Sequence, residues 1–301
     1  MKWKRGRRSE NVEDRRGRST GGLGQHKGKL SLAGIALIVV FGLLTYQDPM
    51  QILGQVASQL QQDGATQPAP SGSGDDAGAE TDVGHGNEQQ VDFVRAILGD
   101  TEDTWGEVLA QYDEQYVDPK LVLFDNAVNS ACGFASSAVG PFYCPGDQQV
   151  YLDLGFFNEL EQRFQASGDF ARAYVIAHEV GHHVQNLIGV NAQVDAARQR
   201  GAQMDGATGL SVKVELQADC FAGIWANHAQ QRLNWLEEGD VEEAINAANA
   251  IGDDHLQQQG QGRVVPDSFT HGTSDQRVRW FKSGLENGNM EQCDTFNAQH
   301  L

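Results

Sequence analysis

Apolar positions divide the chain into stretches of different period. From Val91 onward, Phe93, Val94, Ile97 and Leu98 recur at helical spacing, and Trp105, Val108 and Leu109 continue the pattern. This predicts two helices at the start of a globular domain. Residues 120–154 behave differently: Leu121 to Phe124, Phe142 to Cys144 and Val150 to Leu152 are short apolar runs bounded by Asn, Gly and Pro. They predict a small antiparallel sheet. Helical patterns then dominate to the C-terminus. Asp169 is placed as the N-cap of a helix ending at Gly189. Further helices are predicted over residues 211–230, over 241–251 with an Asp240 and Glu243 capping box, and over 275–286 with Thr273 and Gln276 in the same role. A sheet followed by helices predicts an α+β fold.

Upstream, Leu30 to Gln47 contains no charged residue, and its centre runs Ile35, Ala36, Leu37, Ile38, Val39, Val40, Phe41. A stretch of this length just spans a bilayer. Residues 1–29 hold ten Lys/Arg against three acids, whereas the whole chain has a formal net charge of −19. Basic residues before the span and acids after it predict a cytoplasmic tail (1–29), a transmembrane helix (30–47), a flexible linker (48–90) and a domain (91–301) outside. The implied location is the cell inner membrane, single-pass, with the domain in the periplasm. A cleaved signal peptide is the competing reading, disfavoured by the long basic region and the poor cleavage site at Tyr46 to Pro49. Within 63–90, Val83 is the only large apolar residue, too little to order a segment. The acidic body repels phosphate backbones, so nucleic acid is not an expected partner. Cys132, Cys144, Cys220 and Cys293 form no C-x-x-C spacing and read as disulfides rather than metal ligands. Of the three possible connectivities, the short separation favours pairing Cys132 with Cys144.

The candidate chemistry lies in the Asp169 helix, which reads His178, Glu179, Val180, Gly181, His182. Residues four apart share a helix face, so both imidazoles can converge on one zinc, and Glu179 projects beside them to deprotonate the metal's water. By chance an H-E-x-x-H occurs in about one chain per hundred of this length, but seldom on an apolar helix. There, two His and a Glu without a metal would be costly buried polar groups. His183 points off their face, toward second-sphere neighbours or solvent. A catalytic zinc takes three protein ligands and leaves one position open. Asp205, Glu215, Asp219, His228, Glu237 and Glu238 are candidates for the third. Glu215 and Asp219 stand apart, because they sit four residues apart in an otherwise apolar helix where two carboxylates repel unless a cation intervenes. Glu215 is therefore assigned to zinc, and Asp219 to the free ring nitrogen of a ligand His.

The run from Ala177 to Gln185, followed by Glu215, Leu216, Gln217, Ala218, Asp219, resembles the gluzincin arrangement. With the basic start, the apolar span, the Gly/Ser linker and Phe269 to Asp275 near the end, the chain resembles the neutral zinc metallopeptidase family of bacteria. The resemblance covers roughly residues 91–295. It implies a gluzincin-type zincin fold, a Zn2+ cofactor, a peptide or protein substrate, and a late His that stabilises the oxyanion. His271 is the candidate for that role, and Arg277 is the alternative. The strand at Gln149 to Asp153 would present a sheet edge to extended substrate. The rival reading is a non-catalytic, membrane-tethered zinc protein serving as an assembly or chaperone factor. A structural zinc needs a fourth protein ligand, and none is evident near the motif.

Overall fold

The computed structural model describes residues 1–17, 83–163 and 166–301. The transmembrane helix expected over 30–47 lies outside the described residues, as does the linker up to residue 82. No described helix is long and apolar enough to cross a membrane.

The architecture is α+β, but the sheet is mixed rather than antiparallel. Strands β1 (Val12–Asp14), β2 (Lys120–Phe124), β6 (Gln149–Asp153) and β5 (Phe142–Cys144) lie side by side in that order. β1, β2 and β6 are mutually parallel, and only β5 runs against β6. Parallel neighbours need a long crossover. Residues 125–148 provide one between β2 and β6, and they hold both β5 and a separate hairpin of β3 (Ala127–Ser130) and β4 (Gly133–Ser136). Leu121, Leu123, Val150 and Leu152 face the main core, while Val122, Phe124 and Tyr151 build a smaller apolar cluster on the other face.

The opening helical pattern is one helix, α1 (Val83–Ala110), not two. Its polar interruption at Asp100, Thr101, Glu102 and Thr104 is buried and paired. Thr101 donates to Leu98 O at 2.7 Å, and Asp100 accepts from Trp225 Nε1 at 2.9 Å. Satisfied polar groups of this kind let an apolar stripe lapse without ending the helix.

The first seventeen residues, expected to lie in a basic tail, pack on this fold. Trp3 packs edge-on against Phe93 at 5.3 Å, and its Nε1 donates to Asp169. Arg7 bridges to Glu102 at 2.6 Å, Arg8 to Asp92 at 2.6 Å, and Val12 pairs with Leu121. Arg7 and Arg8 thus meet acids of the domain, while Arg15 and Arg16 pair within the arm with Glu13 and Asp14. The first seventeen residues and the domain from residue 83 onward belong to one compact unit.

The remaining helices follow the sequence pattern closely where it was strong. They are α2 (Gly155–Gln162), α3 (Asp169–Leu187), α4 (Val190–Gln199), α5 (Leu210–Leu233), α6 (Asp240–Ala250), α7 (Asp253–Gln261) and α8 (Ser274–Asn287). The short helices α2, α4 and α7 had no sequence expectation. Thr273 and Gln276 form the expected capping box. Asp169 and Asp240 do not cap their helices, since Gly168 and Gly239 occupy those positions. Instead Glu243 of α6 reaches across to accept from Phe170 N at 2.9 Å, so one helix caps another. Both disulfides form, Cys132 with Cys144 and Cys220 with Cys293.

Helix α5 is central because glycines let its neighbours approach backbone to backbone. A Cβ at Gly181 of α3 would lie 3.0 Å from Ala218 O. At Gly284 of α8 it would lie 1.9 Å from Cys220 O, and at Gly223 of α5 it would lie 2.1 Å from Phe281 O. Gly284→Ala must therefore push α8 off α5. We expect it to lower stability by about 3 kcal/mol, the upper part of the overpacking range. An unchanged urea midpoint in this variant would show that the helices cross less closely.

Candidate metal centre

Helix α3 places His178 and His182 one turn apart, with ring centroids 4.8 Å from each other, and α5 brings Glu215 against them. One donor atom from each of the three lies within 4.8 Å of the others. Glu215 Oε2 is 3.2 Å from His178 Nε2, and Glu215 Oε1 is 3.5 Å from His182 Nε2. The predicted ligands therefore converge, and both imidazoles turn the same nitrogen toward the carboxylate.

The opposite ring nitrogens are held from behind. His178 Nδ1 donates to Asp219 Oδ1 at 2.8 Å. Asp219 is fully buried, accepts from Tyr174 Oη at 2.5 Å, and takes two bonds of 2.9 Å from the Arg277 guanidinium. Burial alone would favour a neutral Asp219, but Arg277 and His178 outweigh it and hold its pKa at about 2. A carboxylate only accepts, so Nδ1 of His178 carries a proton, and Nε2 is the nitrogen turned toward Glu215, where it would ligate a metal on giving up its own proton. His182 Nδ1 lies 2.9 Å from Gln185 Oε1.

Burial also works against charge on His178, yet Asp219 and then Glu215 prevail and push its pKa up to about 10. Burial would likewise raise Glu215, but His182 and His178 bring it well below the usual carboxylate range. Negative charge so concentrated between two imidazoles suits a cation. Two imidazole nitrogens and one carboxylate are a donor set that zinc takes in open, catalytic geometry. The residues present fit a zinc ion.

These groups open onto a cleft of about 480 Å³ whose lining includes Glu179, His271, Phe142, Phe156, Val175 and Ile251. Glu179 is 8 % exposed and lies on this wall without belonging to the three-donor group. The edge of the sheet at the cleft is β5, since β6 is enclosed between β2 and β5. The strand expected to offer a free edge is therefore interior, and Phe142–Cys144 takes its place.

His271 also faces the cleft, as expected. Its support was not visible in the sequence. Asp253, at the start of α7, accepts from the backbone N–H groups of Thr270, His271 and Gly272 at 2.7, 2.7 and 3.0 Å, and its other oxygen lies 3.4 Å from His271 Nδ1. This contact chiefly raises the pKa of His271. Arg277 is 2 % exposed, and its guanidinium is committed to Asp219, Tyr174 and Ile251 O. His183 is buried away from the ligands, between Tyr143 Oη at 3.1 Å and Val117 O at 2.6 Å, where it ties α3 to β5.

The model of a family described as "Putative neutral zinc metallopeptidase" matches residues 1–296. The chain is 45 % identical over 302 residues to the uncharacterized protein YpfJ of Escherichia coli K12, covering 98 % of this chain and 99 % of that one. It is 47 % identical over 196 residues to the uncharacterized proteins Mb2605 of Mycobacterium bovis and Rv2575 of Mycobacterium tuberculosis, covering 62 % of this chain and 65 % of theirs. No solved structure matches the chain.

Proposed function

Since the chain belongs to this neutral zinc metallopeptidase family, we propose that it is a zinc-dependent endopeptidase whose metal is held by His178, His182 and Glu215. The observation that carries the reading is a three-donor set, one short of a closed structural site, that opens onto a cleft carrying a further carboxylate. The same observation disfavours a purely structural zinc.

Bound there, zinc would supply Lewis acidity, lowering the pKa of a water and polarising a carbonyl. Glu179 takes the proton of the attacking water and passes it to the leaving amine. His271 donates a hydrogen bond to the carbonyl oxygen as charge develops on it. The free edge of β5 supports pairing with an extended peptide, and the apolar cleft wall at Phe142, Phe156 and Ile251 accommodates apolar side chains. Arg277 acts through Asp219 and has no direct part in the reaction. The test is hydrolysis of a mixed peptide library by metal-loaded protein, which should stop on chelation and return with zinc. Hydrolysis that survives complete removal of metal would overturn the reading.

A pH dependence follows from the His271 and Asp253 pair. While Nδ1 donates, to Asp253 at 3.4 Å or to Thr270 Oγ1 at 2.9 Å, Nε2 can donate only if the ring is protonated. Asp253 raises the pKa of His271, so the protonated form persists to higher pH and its contribution is lost as pH rises through that raised value. Asp253→Asn should move the alkaline limb of kcat toward lower pH, and His271→Ala should lower kcat by about a hundredfold with little change in KM. A limb that stays in place in Asp253→Asn would separate the two residues functionally.

A further inference from the structure

The two histidines of the centre are oriented by different means. His178 leans on a buried carboxylate, whereas His182 leans on a neutral amide, and that amide is the first member of a chain that leaves the site. Gln185 is fully buried. It accepts from His182 Nδ1 at 2.9 Å, and its Nε2 donates to Val214 O at 2.7 Å and to Gln217 Oε1 at 3.0 Å. Two acceptors on the Nε2 side fix which end of the amide faces His182. Gln217, 8 % exposed, in turn donates from Nε2 to Cys293 O at 3.1 Å.

Cys293 belongs to the C-terminal segment, and its side chain is bonded to Cys220 on α5, next in sequence to Asp219. Both cysteines are fully buried. Beyond the cross-link the same segment is also tied to α5 by hydrogen bonds, Thr295 Oγ1 to Lys213 O at 2.7 Å and Lys213 Nζ to Phe296 O at 3.1 Å. The cross-link is thus the covalent anchor of the carbonyl on which the amide chain ends.

We infer that Gln185 and Gln217 are positioning residues for the metal centre, and that the Cys220–Cys293 disulfide sets metal affinity by holding the far end of their chain. The inference rests on the metal reading of this site and deepens it. A buried amide chain has one arrangement that satisfies all its members, and releasing Cys293 O leaves Gln217 an unpaired donor and lets Gln185 turn. His182 would then lose the acceptor that fixes its tautomer and ring plane.

Titration of the full chain with cobalt(II), read by its visible absorption bands, tests this without any assay of hydrolysis. Gln185→Leu removes the acceptor and should weaken cobalt binding by about 10- to 100-fold, whereas Gln185→Glu keeps the acceptor facing His182 but loses both donor bonds of Nε2 and should fall between Gln185→Leu and wild type. The double variant Cys220→Ala/Cys293→Ala should weaken binding about tenfold, the lower end of the same range. Circular dichroism of the metal-free proteins checks the fold, and Gln217→Leu, which cuts the chain one step further out, substitutes if Gln185→Leu does not fold. Wild-type affinity in both glutamine-to-leucine variants would overturn the inference alone. Wild-type affinity in the double cysteine variant would overturn its disulfide half. Wild-type protein that binds no cobalt would overturn the metal reading as well.

Discussion

Glu179→Gln is expected to abolish peptide hydrolysis while leaving bound zinc at the level of the unmodified protein, and Glu215→Ala is expected to lose the zinc itself. The two carboxylates differ by position. Glu215 lies 3.2 and 3.5 Å from the two imidazoles and completes the donor set, whereas Glu179 lines the cleft beside it. Removing a proton acceptor costs on the order of 10²- to 10⁴-fold in rate, with no ligand lost. Removing one of three protein ligands undoes the site. Metal content by atomic absorption, measured beside hydrolysis, separates the roles, and equal zinc retention in the two variants would mean that the third ligand lies elsewhere.

The second large effect is expected at Asp219. Its fully buried carboxylate is the partner of His178, Tyr174 and the Arg277 guanidinium. Asp219→Ala leaves that guanidinium charged and unpaired in the core, which costs about 3–5 kcal/mol by the usual loss on breaking a buried ion pair from one side. Asp219→Ala/Arg277→Met removes both charges and should recover much of that stability. It should not recover metal affinity, because His178 still lacks its acceptor. Urea unfolding of the two variants decides the matter. A double variant no more stable than the single one would show that Arg277 does not depend on Asp219.

Much of the metal centre was legible because its parts are local repeats on helices. His178 and His182 share a face by spacing alone, and Glu215 with Asp219 pointed to a cation by placing two acids on an apolar helix. The close helix crossing could be read from the small residues around them, including Gly181 and Gly223. The groups that orient the site were less visible. Asp253 meets His271 across a loop, and Gln185 and Gln217 meet each other from different helices, so no spacing within one element marks them. Arg277 was read as the alternative to His271 because it lies one turn into the helix that follows; it does line the cleft, with its guanidinium engaged by Asp219. The sheet was misjudged for a related reason. Short apolar runs do not reveal their pairing direction, and the strand that extends the sheet lies more than a hundred residues upstream of its neighbour, at Val12 against Leu121.

That distance has a consequence for how the protein is made. At about 5–20 residues per second of synthesis, the arm that contains β1 waits several seconds or longer on the ribosome before β2 exists to receive it. Until then Val12 has no strand to pair with, and β2, once made, offers an unpaired edge to any extended chain nearby. The β1 strand can thus dock only late, through a contact of high sequence separation that slows folding. A fragment expressed from residue 83 onward would keep the metal ligands but leave that edge permanently bare. Its tendency to self-associate, relative to the full chain, would report how much the first seventeen residues protect the fold.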